Sequence, residues 1–288
     1  MSVLLQISDA HFGTEQPPVV AALLELAGQL QPDVALFSGD ITQRARRAQW
    51  RGAEAFAKQL PVKHVLAIPG NHDIPLFNVF ARVFAPYAGY ASAFGRALEP
   101  ELDLPDMLML CLNTTRPRRH KDGEVSEEQI ERVCSRLQRA RREQLRIVVT
   151  HQPVHVVRSN DECNLLHGAE IAVRRWIEAG ADLLIGGHIH LPYVRPLAER
   201  YSGLPRRGWC VQAGTALSHR VRGSIPNSVN IVRYDAALTC SVERWDFSLT
   251  RLQFEHVETH SLALERTSTG VTPATRTART PAESVASR

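Results

Sequence analysis

The chain has 288 residues, of which 44% are hydrophobic and 22% charged, a composition that suits a soluble protein with a sizeable core. Its net charge of +4 is too slight to imply nucleic acid or a membrane surface as partner, and no apolar run approaches the ~18 residues of a bilayer span. The five cysteines are odd in number and form no CxxC, which argues against a disulfide framework or zinc knuckle and fits a reducing, cytoplasmic setting.

The opening MSVLLQISDAHFG has no basic leader and reads as a strand, Val3 to Ser8, not a signal peptide. Pro17 to Leu30 has helical spacing, with apolar Val20, Leu23, Leu24 and Ala27. Asp33 to Ser38 is a second buried strand, an Arg-rich helix follows to about Leu60, and Val65 to Ile68 is a third strand. Leu76 to Arg96, within a possible cap over residues 74–100, is rich in Phe and Tyr and reads as a helical hairpin covering the core. Met107–Leu112, Arg146–Thr150 and Asp182–Ile185 repeat the strand signature with helices between. One of these helices, Glu127 to about Glu143, opens with a Ser126/Gln129 capping box and carries an Ile130, Val133, Cys134, Leu137 stripe. Its opposite face bears Arg132, Arg136, Arg139, Arg141 and Arg142, read as a solvated face. After His190 the helices stop, and five short strands between 194 and 260 suggest a second, mainly antiparallel sheet. Residues 1–265 make one α/β domain, and 266–288, rich in Ser, Thr, Pro and Ala, form a tail with too few apolar residues for a core.

The apolar strands end in polar residues. Val3–Ser8 runs into Asp9-Ala10-His11, the second strand into Gly39-Asp40, and the third into Gly70-Asn71-His72-Asp73. Arg146–Thr150 runs into His151, and Asp182–Ile185 into Gly187-His188-Ile189-His190. In an open α/β sheet the carboxyl ends of the strands line the ligand crevice, so Asp9, His11, Asp40, Asn71, His151, His188 and His190 should meet at one edge. Such a cluster, unpaired, would cost several kcal/mol in desolvation. Two metal ions sharing a carboxylate would relieve it, and donors that are all oxygen or nitrogen suit Mn, Fe, Zn, Co or Ni.

This ordered set, D-x-H, G-D, G-N-H-D, a post-strand His and G-H-x-H, resembles the calcineurin-like metallophosphoesterase family over about residues 3 to 247. In type it is most similar to class III cyclic-nucleotide phosphodiesterases. The resemblance implies a two-sheet α/β sandwich flanked by helices. Carried over by position, it implies that Asp9, His11 and His190 hold one divalent ion, Asn71, His151 and His188 the other, and Asp40 bridges both. It further implies that His72 sits over the substrate phosphate, with Asp73 orienting it, while a metal-bridging hydroxide attacks phosphorus. The expected activity is hydrolysis of a phosphodiester such as a cyclic nucleotide. The alternatives are a nucleotide-sugar or lipid pyrophosphohydrolase, a phosphomonoesterase, and a metal-free protein-binding scaffold. The partner is then a small phosphorylated molecule, not nucleic acid.

One departure weakens the substrate match: many cyclic-nucleotide-hydrolysing relatives carry H-H-P where this chain reads His151-Gln152-Pro153. Two further residues are candidates for substrate contact. Arg44, four residues after Asp40, has the guanidinium geometry for phosphate, and Asn113 ends the MLMLCL strand.

Overall fold

Strand β1 (Ser2–Ile7) is buried on both faces, as its unbroken apolar run requires. It is followed by helix α1 (Pro17–Leu30), strand β2 (Val34–Ser38), helix α2 (Arg47–Ala57) and strand β3 (His64–Ile68). A 3-10 turn at Asn71–Asp73, two short helices, α3 (Val79–Phe84) and α4 (Ala88–Phe94), and strand β4 (Glu101–Asp103) lead to β5 (Met107–Cys111). Then come α5 (Glu127–Leu137), β6 (Leu145–Val149), α6 (Ala169–Ala179) and β7 (Leu183–Gly186). The remainder is β8 (Tyr193–Pro196), β9 (Trp209–Gln212), β10 (Ser228–Tyr234), β11 (Cys240–Ser248) and β12 (Gln253–Leu262). The structure is a computed structural model that describes residues 2–265 apart from 236; the expected tail, 266–288, lies outside the described residues.

The strands form two six-stranded sheets, β12-β11-β10-β1-β2-β3 and β4-β5-β6-β7-β9-β8. Leu4, Leu36 and Ile68 of the first sheet meet Met109, Ile147 and Ile185 of the second in a shared inner core. Alternation along β1 sends Val3, Leu5 and Ile7 the other way, against α1 and α2, while the outer face of the second sheet packs on α5 and α6. The result is the expected α/β sandwich flanked by helices.

The late strands do not form a sheet of their own. β10, β11 and β12 extend the first sheet antiparallel from β1, while β9 joins the second parallel to β7, with β8 antiparallel on its edge. Both sheets are therefore mixed, and the second is mainly parallel, through β5–β6, β6–β7 and β7–β9. Periodicity records which face of a strand is buried, not which neighbour it bonds.

Helix α5 stops at Leu137 instead of running to Glu143, with Gln138 as its C-cap. Its arginine face is neutralised as much as solvated: Arg132 pairs with Glu99, and Arg136 and Arg141 pair with Asp103. In the aromatic segment only α4 covers the core, where Tyr90 meets Trp50 edge-on at 6.1 Å. Helix α3 buries none of its residues and leaves Phe80 and Phe84 74% and 71% exposed.

Candidate metal centre

The ends of β1, β2 and β3 in one sheet and of β6 and β7 in the other meet along one edge of the sandwich. Each terminal segment must turn sharply, and the backbone shows it: Asp9, Asp40, His11, His188 and His190 all have positive φ, between 46° and 74°. Non-glycine residues rarely accept that conformation, and its cost is of order 1 kcal/mol or more per residue unless the surroundings impose it. Five such residues at one place mark a built site. The segments also lie very close together. A Cβ at Gly70 would strike the backbone nitrogen of Asp40, and one at Gly187 would lie 2.6 Å from Asp9 Oδ2.

The side chains fall into two groups. Asp9, His11 and His190 each offer an atom within 4.8 Å of the others, and so do Asp40, His151 and His188. Asp9 Oδ1 lies 3.2 Å from His190 Nε2, and Asp40 Oδ1 lies 3.3 Å from His151 Nε2. Asp40 faces both groups, because its Oδ2 is 3.8 Å from His11 Nε2. Asp9, His11, Asp40 and His151 are buried; Asn71, His188 and His190 are half-buried.

Backbone and hydroxyl groups aim these side chains. Asp9 Oδ2 accepts from Ser8 Oγ at 2.6 Å and the His188 amide at 3.0 Å, which turns Oδ1 inward. The Ser38 carbonyl lies 2.9 Å from His151 Nδ1, so that nitrogen carries the proton and Nε2 presents a lone pair. The Arg220 carbonyl, 2.6 Å from His190 Nδ1, does the same for His190. These are the contacts that fix tautomer and direction in metal-binding histidines.

The fit of cations can be tested on the protein atoms alone. Asp9 Oδ1, Asn71 Oδ1, His151 Nε2 and His188 Nδ1 are buried with no hydrogen-bond partner. Four orphaned acceptors at one place is an expensive arrangement unless positive charge satisfies them. Burial pushes His11 down to about 3, and burial with the neighbouring His151 pushes His188 down to about 4, which keeps both imidazoles neutral at pH 7. Burial opposes ionisation of Asp40, yet His151 holds its carboxyl well below the usual range. Against the pull of burial, Asp40 pushes His151 up to about 9 and Asp9 raises His190, so a cation binding at these two would displace their protons, since neutral imidazoles and ionised carboxylates are the states that bind divalent ions.

His72 contributes no atom to either group. Its ring meets His11 edge-on, with centroids 4.8 Å apart, and its Nδ1 lies 3.0 Å from the Gln43 carbonyl. The expectation that Asp73 orients His72 is not met. Asp73 turns back beneath the site, where it accepts from the amides of Gly70 at 2.9 Å, Ile41 at 3.0 Å and Thr42 at 2.7 Å, and from Thr42 Oγ1 at 2.8 Å. A 3-10 turn has three residues per turn, so adjacent side chains project about 120° apart, and His72 and Asp73 cannot face one another. Burial and the Asp40 carboxylate push Asp73 up to about 7 against the pull of those amides. Asp73→Ala strands three buried N–H groups, so a loss of about 3 kcal/mol or more in unfolding free energy is expected. Urea unfolding of metal-loaded protein measures it, and a change below ~1 kcal/mol would mean the amides find other acceptors.

The two candidate substrate residues stand apart. Arg44 lies over the Phe77 ring at 5.7 Å and lines a cavity of about 420 Å³ that also holds Trp50 and none of the seven candidate ligands. Asn113 closes its own loop, its Oδ1 accepting from Thr115 N at 3.1 Å and Thr115 Oγ1 at 2.6 Å. Sequence reasoning missed Arg220, whose guanidinium reaches His72 Nε2 at 3.2 Å. The SHRVRG stretch that contains it has no spacing tied to the other motifs, so nothing in the sequence pointed to it.

A family model for calcineurin-like phosphoesterases matches residues 2–192. The chain belongs to that family. It is accordingly a metal-dependent phosphoric ester hydrolase, of a class that works with two divalent ions. It is 25% identical over 204 residues to a probable cyclic nucleotide phosphodiesterase from Synechococcus sp., a match covering 67% of this chain and 74% of that one. The fold is similar to that of a dimetal phosphatase from Danio rerio, with TM-score 0.63 and 14% identity over 92% of this chain and 99% of that one. It is also similar to a purple acid phosphatase from yellow lupin (Lupinus luteus) seeds, with TM-score 0.64 and 14% identity over 90% of this chain. The chain spans about half of that lupin enzyme, 53% of its length. No helix among the described residues is long and apolar enough to cross a membrane.

Proposed function

We propose that the chain hydrolyses a small phosphodiester of the cyclic-nucleotide type. In this reading Asp9, His11 and His190 hold one divalent ion, Asn71, His151 and His188 hold the other, and Asp40 bridges them. The observation that carries it is the pair of ligand groups sharing Asp40, with unpartnered acceptor atoms turned inward. The phosphodiester substrate rests on the likeness to the Synechococcus protein. Five unpaired thiols support a cytoplasmic setting.

Ions bound there would supply Lewis acidity, neutralising phosphate charge and bringing the pKa of water towards neutrality. The protein's own groups do the rest. Asp9 and Asp40 supply the negative charge that retains the cations, and the Ser38 and Arg220 carbonyls keep His151 and His190 in the ligating tautomer. A carbonyl only accepts, so the Gln43 oxygen fixes the proton on His72 Nδ1 and leaves Nε2 facing the reaction. When Nε2 is protonated as well, His72 can deliver that proton to the departing alkoxide.

Assays of the purified protein with Mn against cyclic nucleotides, bis(p-nitrophenyl) phosphate, p-nitrophenyl phosphate, nucleotide sugars and single-stranded DNA test the reading. Turnover of the diesters above all others is the expected result. A preference for the monoester or for nucleotide sugars would replace the substrate assignment, and inactivity of protein carrying two ions per chain would remove the function.

A further inference from the structure

Two arginines line the cavity of about 440 Å³ that opens beside His188 and His190. Arg222 is committed to the protein: its Nη1 donates to the Ile189 carbonyl at 3.0 Å and pairs with the buried Asp161 at 3.0 Å. Arg220 is placed differently. Among the described residues it makes no ion pair, and its Nη1 rests 3.1 Å from the neutral Gln43 Oε1 and 3.2 Å from His72 Nε2. The same nitrogen lies 3.4 Å from His72 Nδ1, so the guanidinium rests against the imidazole ring and does not point along the lone pair of either nitrogen.

The backbone that carries the guanidinium is held in place. The Arg220 backbone carbonyl takes His190 Nδ1 at 2.6 Å and Thr215 Oγ1 at 2.9 Å, so the residue that aims one candidate ligand also carries the unneutralised cation. A half-buried cation opposite an amide and an imidazole is incompletely compensated. A phosphoryl oxygen would compensate it, since charge-assisted bonds to guanidinium are among the strongest available and its fork matches phosphate geometry.

We propose that Arg220 binds a non-bridging phosphoryl oxygen of the substrate, next to His72. This rests on the dinuclear phosphoesterase reading above.

The test uses metal-loaded full-length protein and two variants. Arg220→Gln keeps a donor and loses the charge, and Arg220→Lys restores the charge without the fork. Inorganic phosphate is titrated calorimetrically, metal content is measured, and hydrolysis of bis(p-nitrophenyl) phosphate gives kcat and KM. Arg220→Gln is expected to keep two ions per chain and to weaken phosphate binding about 10–100-fold, with KM moving more than kcat and Arg220→Lys recovering part of the loss. An unchanged phosphate Kd in Arg220→Gln at full metal occupancy would overturn the proposal. So would a loss of metal in that variant, which would make the residue part of the metal centre, or a lysine variant no better than the glutamine. If Arg220→Gln behaves as wild type while Asn71→Ala is inactive, the assignment of Arg220 fails and the dinuclear site stands. A wild type that neither hydrolyses the diester nor binds phosphate would take both down.

Discussion

Asp40→Asn is expected to leave at most one ion per chain and to lower kcat/KM on the order of 10³-fold or more, about 4 kcal/mol of transition-state stabilisation. The reason is geometric. One Asp40 oxygen lies 3.3 Å from His151 Nε2 and the other 3.8 Å from His11 Nε2, so this one side chain addresses both groups. Asparagine preserves much else. It tolerates the left-handed φ of 49° at this position, and its remaining oxygen can still accept the His72 amide, now bound at 2.8 Å. Its –NH₂ group, which cannot ligate a cation, then takes the place of the second oxygen. Metal analysis beside steady-state kinetics reads the outcome. Two ions and unaltered turnover in Asp40→Asn would end the bridging role.

His72→Asn should behave in the opposite way with respect to metal. His72 is bonded to Gln43 through Nδ1, its ring lies against the Arg220 guanidinium, and it only leans on His11. Its removal should leave two ions per chain. The loss should appear in kcat, by about 10²–10⁴-fold, the usual contribution of a positioned proton donor. It should also depend on the leaving group. An alkyl phosphodiester releases a strongly basic alkoxide that needs the proton, whereas p-nitrophenolate departs without help, so the defect should shrink for p-nitrophenyl esters. Equal defects on both substrates would show that His72 acts on phosphoryl charge instead of the leaving oxygen. Set against Asp40→Asn, the pair separates loss of the metal centre from loss of the proton.

Much of the site was legible in the chain because the information is local. Each apolar run leads directly into its polar residues, so a strand that is buried must deliver Asp9 and His11, Asp40, Asn71, His151, or His188 and His190 at its end. The same locality makes α1 legible: a proline start and an apolar stripe define Pro17–Leu30, and the helix has those bounds. Capping chemistry likewise sets the start of α5 at Ser126, where the Ser126 and Gln129 bonds are both present.

Tertiary structure alone decided the rest. The site is assembled from two sheets, not from one edge of a single sheet, because side-chain alternation says that a strand is buried and is silent on its neighbour. The partners of Asp73 depend on how the 3-10 turn at Asn71–Asp73 folds under the end of β2, which no spacing encodes. Arg220 reaches His72 from a loop distant in sequence, through contacts that exist only once β9 and β10 have taken places in different sheets. Hydrogen bonds between remote segments follow from packing, and packing is a property of the whole chain.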